Sequence, residues 1–279
     1  MADISPEVLG KLAELLKAIG TGSAPHDPAF LDYVKDLTGL FNSVAWPAAA
    51  IYCVILFRPQ LISFLGNVDT VKVFGAEISR RINSQIEQSA KEAQTRTETE
   101  LLSGPSKSEI NRAIVVKNLV AGSNGGEIAA QAEALAVEYQ QVRASMLPGK
   151  KRTRAMEVVV SKMRTIGQAF FPIRHEFADS PAPGKRLMVI ASLEVSPDYD
   201  MLDWLADRVA SEKPFLQYHA LVAILLAVQG SDAHVYIPEL KAAVEKIRRS
   251  KESFGDDASR TGTLEEIEQA LERLQAESK

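Results

Sequence analysis

Apolar positions recur along this chain in three rhythms, and each predicts a different kind of element. Near the start, Val8, Leu9, Leu12, Leu15, Leu16 and Ile19 fall at helical spacing. Ser5-Pro6-Glu7 supplies a cap, a proline at the first helical position and an acid in the first turn, and Gly20 closes the pattern. A short amphipathic helix is expected there, followed by a linker from Thr21 to Pro28.

The second rhythm has no polar face at all. Between Asp36 and Arg58 the chain carries no charge from Leu37 to Phe57, about 21 residues that span roughly 30 Å as a helix. Trp46, Ile51, Ile55 and Phe57 strengthen the run, whereas Thr38, Gly39, Asn42 and Ser43 weaken its beginning. Pro47 would break a soluble helix but is tolerated in a membrane helix. A second register, Val44 to Leu65, is open if Arg58 snorkels to an interface. A single transmembrane helix is expected; the alternative is a buried core helix of a soluble protein. Phe215–Val228 is also uncharged, but about 14 residues do not span a bilayer, and it contains Gln217, Tyr218 and His219. That stretch reads as a core helix.

The third rhythm, from Ala76 onward, is helical and interrupted by turns. Ile78, Ile82 and Ile86 are four apart and give way to Ala90 and Ala93, a thinning stripe that predicts a solvated stalk able to pair with a copy of itself. Helices are expected at Ser108–Val120 and Glu127–Leu147. The Gly122–Gly126 loop between them lacks the lysine and spacing of a phosphate-binding loop and reads as a turn. Lys150, Lys151, Arg152 and Arg154 form a small basic cluster, the solvated start of a helix or a contact for anionic lipid or an acidic partner.

Prolines then mark turns at Pro181 and Pro183, at Pro197 and at Pro214, enclosing apolar stretches at Leu187–Val195, Met201–Ala210, Phe215–Val228 and Ile237–Ile247. Pairing the first with the second, and the third with the fourth, gives two hairpins about 30 residues apart. This spacing resembles HEAT-type alpha-solenoid repeats. The phrases Pro183-Gly184-Lys185-Arg186-Leu187, Leu202-Asp203-Trp204-Leu205 and Glu212-Lys213-Pro214-Phe215 are also similar to a helical tail of uncharacterised bacterial single-pass membrane proteins. The resemblance implies an all-α fold with a concave binding surface and no particular activity. A compact orthogonal bundle is the structural alternative. At the end, Thr263 and Glu266 are spaced as a capping box, and Leu264, Ile267, Leu271 and Leu274 predict a helix that docks back on the domain.

Composition changes this picture little. Apolar residues are 46% and charged residues 24%, an ordinary mixture, and the net charge of -4 argues against a general nucleic-acid binder. The single cysteine, Cys53, excludes an intrachain disulfide. The four histidines fall in different elements. His175 beside Glu176 and near Asp179 invites an acid-base reading, but no serine or cysteine nucleophile accompanies it, and a surface ion pair is the simpler reading. His219 reads as a core histidine with a satisfied hydrogen bond. Asp203 and Asp207, one turn apart, could contact a cation or simply line a solvated face. Tyr199, Trp204, Phe215 and Tyr218 lie nearest the turns that join the repeats and are the candidate partner contacts, with core packing as the alternative.

The flank before the uncharged run holds Asp27, Asp32 and Asp36 with only Lys35, and the flank after it Arg58, Lys72, Arg80 and Arg81. The positive-inside rule then places the C-terminal part in the cytoplasm, in a single-pass protein of the cell inner membrane. The expected organisation is residues 1–36 as helix and linker, 37–67 as membrane segment, 68–105 as stalk, 106–252 as HEAT-like domain and 253–279 as terminal helix. The expected function is a non-enzymatic interaction scaffold with a lipid bilayer and a protein as partners and no cofactor. Alternatives are a membrane-perturbing effector and an unrecognised enzyme.

Overall fold

The structure is a computed structural model and describes residues 77–97, 100–101, 103–122 and 125–277. The chain divides into two units, Met1–Val71 and Lys72–Lys279, and the described residues belong to the second. The amphipathic segment at the start and the Leu37–Phe57 run therefore lie outside the described residues. No helix among the described residues is long and apolar enough to cross a membrane.

The described part is all α. Its helices are α1 (77–95), α2 (Lys107–Leu119), α3 (Gly126–Ser145), α4 (Lys150–Phe170), the short α5 (Arg174–Ala178), α6 (Pro183–Val195), α7 (Leu202–Ser211), α8 (Pro214–Val228), α9 (Ile237–Arg248) and α10 (Ala258–Glu277). Local chemistry explains the ends. Ser106 and Glu109 close a capping box on α2, with the Ser106 N–H donating to Glu109 Oε2 at 2.6 Å. Pro183 and Pro214 each sit at the start of a helix, where a missing N–H costs nothing. At α10 the expected cap is corrected. Asp257 accepts from the N–H groups of Ser259 and Arg260, both at 3.1 Å, so the helix starts a turn before Thr263. Thr263 lies inside it, donating to the Ser259 carbonyl at 2.8 Å.

Packing alternates. The even-numbered helices α2, α4, α6, α8 and α10 touch one another in succession. Over them lie α3 against α4 and α6, α5 against α6, α7 against α8, and α9 against α7 and α10. Helix α8 sits at the centre, buried on every face from Leu216 to Ile224, which is why its sequence lacks a polar stripe. Helix α10 does dock back on the domain, burying Leu264, Ile267 and Leu271.

Two further expectations are corrected. The hairpins run one helix out of step: α7 pairs with α8 rather than with α6, and α9 packs on α7 and α10. Only Glu212 and Lys213 separate α7 from α8, and so short a link holds neighbours side by side. The second correction concerns the solvated stalk. Helix α1 buries Ile78, Ile82, Ile86, Ala90 and Ala93, and the three isoleucines belong to the domain core. Its stripe narrows to alanine because the helix comes close to α4 there: the Ser89 and Ser161 hydroxyls are 2.9 Å apart.

Close approach also explains two glycines. A Cβ on Gly184 would lie 2.2 Å from the Ala136 carbonyl oxygen, so α6 enters the domain in backbone contact with α3. A Cβ on Gly167 would meet Val195 Cγ2 at 2.6 Å, where α4 passes α6.

Candidate functional site

The four aromatic residues singled out in the sequence do not form one surface. Tyr199 stacks on Tyr236 with ring centres 4.2 Å apart and donates its hydroxyl to the Ala227 carbonyl at 3.1 Å. Trp204 carries the Arg208 guanidinium 5.4 Å from its ring centre. Phe215 stacks on Tyr139 at 5.9 Å and meets the His219 ring edge-on at 4.6 Å. Tyr218 is buried and lines a cleft of about 450 Å³ between α8 and α10, with Ser259, Thr263 and Glu266 on the facing helix. Tyr199, Trp204 and Phe215 are half-buried against the core, so packing uses most of each ring.

The other candidates resolve in the same direction. Asp203 and Asp207 do hold a cation, the Lys246 ammonium, at 2.7 and 2.8 Å. His175, Glu176 and Asp179 are exposed, and the ion pair at that turn is Arg174 Nε to Asp198 Oδ2 at 2.8 Å. Among the described residues there is no group of three or more His, Cys, Asp or Glu able to hold a metal ion.

The strongest electrostatic feature is one the sequence reading missed. Helix α4 contributes Glu157 and Arg164, α2 Glu109, α6 Glu194 and α8 His219, and all five are at most 2% exposed. They form a line of alternating charge. Arg96 Nη1 bonds Glu109 Oε2 at 3.0 Å, and Glu109 Oε1 lies 3.8 Å from Arg164 Nη1. Arg164 Nε donates to Glu194 Oε2. The other Glu194 oxygen accepts from His219 Nδ1 at 2.9 Å, and His219 Nε2 faces Glu157 Oε1 at 3.3 Å. The last contact is an ion pair outside hydrogen-bond geometry, and neither Glu157 oxygen accepts a hydrogen bond from a described residue. His219 is thus a core histidine with a satisfied hydrogen bond, as expected, but it is also a member of an ionic chain.

Burial alone would strip the proton from His219, yet the Glu157 and Glu194 carboxylates outweigh it and push the imidazole up to about 9. Glu194 is driven up by burial and more strongly down by Arg164 and His219, so it stays ionised. With three carboxylates against Arg96, Arg164 and the imidazolium, the line is neutral. With its five innermost groups sealed inside four packed helices, it serves as an electrostatic strut.

A pH dependence follows. The folded imidazole titrates above its ordinary 6.5, so its stabilisation is complete below that value and is lost as pH rises through about 9. Thermal melting across this window is expected to show a falling midpoint, and His219→Gln is expected to flatten the slope. A midpoint of the unmodified protein that stays constant from about pH 6.5 to about pH 9.5 would refute a charged His219.

No family model, no curated protein and no solved structure matches this chain.

Proposed function

We propose that this chain is a membrane-tethered, non-enzymatic interaction protein whose helical domain is a short HEAT-like array held at the cytoplasmic face. The observation that carries the proposal is the uncharged Leu37–Phe57 run, long enough to span a hydrocarbon core and followed by the more basic flank. The domain's alternating contacts support the repeat reading, because each helix packs mainly on its near neighbours, as in solenoid proteins. Tethering raises the local concentration of such a module near other membrane proteins, so weak contacts suffice for association.

Fractionation with an alkaline carbonate wash tests the tether. The full-length chain is expected to stay in the membrane pellet, and its release into the supernatant would overturn the proposal. A second reading is favoured by Gly39, Asn42, Ser43 and Pro47, which make the run less inert than a plain anchor. On that reading the helix perturbs the bilayer, and overexpression collapses the membrane potential reported by a dye.

A further inference from the structure

A groove of about 490 Å³ opens between the end of α3, the start of α6 and the α7–α8 link. Arg143, Arg186 and Lys213 line it, and Glu212 is the carboxylate among its lining residues. Glu212 is already engaged, accepting from Arg186 Nε and lying 3.7 Å from Arg208 Nη1. Arg143 donates to a neutral acceptor, the Tyr139 hydroxyl, at 3.2 Å. The charge of Arg152 also acts on that phenol. Both Arg152 Nε and Arg208 Nε are buried and have no acceptor among the described residues.

Three cations therefore line the groove beside one carboxylate, which Arg186 and Arg208 already engage, and Arg186 also donates to the Ser180 carbonyl at 2.6 Å. A guanidinium offers a planar fork of donors that pairs bidentately with phosphate oxygens, and the groove's own carboxylate is already taken. The basic cluster at the start of α4 divides here. Arg154 donates to the carbonyls of Gln94 and Arg96, at 2.6 and 2.8 Å, whereas the charge of Arg152 acts on the Tyr139 phenol.

We infer that this groove binds a phosphomonoester group, supplied either by a lipid headgroup or by a soluble phosphorylated metabolite. Its volume exceeds that of one phosphate, leaving room for the carrier. The site does not depend on the tether, since its residues all lie in the helical domain.

The full-length chain in phosphatidylcholine nanodiscs is titrated with inositol trisphosphate by calorimetry, and parallel discs containing phosphatidic acid test competition from a lipid phosphate. Lys213→Glu is the informative variant, because Lys213 is exposed and its side chain caps nothing. It is expected to weaken binding by about tenfold, the loss of one charge-assisted contact. Lys241→Glu makes the same charge change at an exposed position on α9 and is expected to change affinity by less than about twofold. Competition by phosphatidic acid assigns the group to lipid; trisphosphate binding without competition assigns it to a soluble ligand. No Lys213-dependent binding in either disc, or equal losses in the two variants, would overturn the inference.

Discussion

Arg164→Met is expected to lower the unfolding free energy of the chain by about 3–5 kcal/mol, the usual cost of removing one partner from a buried ionic group. Methionine keeps the unbranched stem and helix propensity of arginine, so the backbone does not account for such a loss, and the void left by the guanidinium end adds only a part of it. The loss comes from Glu194, left fully buried with only His219 beside it, and from Glu109, left with Arg96 alone. Adding Glu194→Met is expected to restore part of the stability, because a well-packed apolar pair is often as stable as the ion pair it replaces. Denaturant unfolding of both variants measures this. A single-variant loss below about 1 kcal/mol would place Arg164 among weakly coupled surface charges and contradict its burial.

The second large effect is expected at Gly184. Alanine there directs a methyl group at the Ala136 carbonyl oxygen, with the Ala136 carbonyl carbon only 2.9 Å from it. The obstacle is backbone in a packed helix, so no rotamer change relieves it. Helices α3 and α6 must separate, at a cost of about 1–3 kcal/mol or more. Gly262 provides the control. It lies within α10, and a Cβ there meets nothing within 4 Å. Gly262→Ala is expected to stabilise by up to about 1 kcal/mol, the ordinary helix-propensity gain. Equal effects from the two substitutions would show that α3 and α6 do not touch as described.

Helices α2, α3 and α6 to α9 were legible because prolines, glycines and apolar spacing mark them. Their pairing was not, since an apolar face does not name the face it meets. The two-residue link at Glu212-Lys213 held the clue: it is too short for α7 and α8 to be anything but neighbours. Helix α1 was misread because alanine signals both a weak core position and a close contact, and only the partner helix distinguishes the two. The ionic chain left a fainter trace. Glu157 follows Met156, Arg164 follows Met163, and Glu194 sits between Leu193 and Val195, all charges at positions in register with a core. Their partners lie 30 and 25 residues away for the Arg164–Glu194 and His219–Glu194 bonds, beyond the reach of any local pattern.

That ionic chain has a consequence for how the helices of the domain choose their alignment. Helices faced with leucine, valine and alanine are nearly interchangeable as docking partners, and apolar contact alone penalises a slip by one position only weakly. Charges placed singly on α2, α6 and α8 and doubly on α4 change that. A helix docked one place out of step would bury a glutamate or the arginine against hydrocarbon, at a cost of several kcal/mol. The line from Arg96 to Glu157 thus works as a key cut across four helices: one stacking order lets every charge meet its opposite, and the others leave a charge stranded.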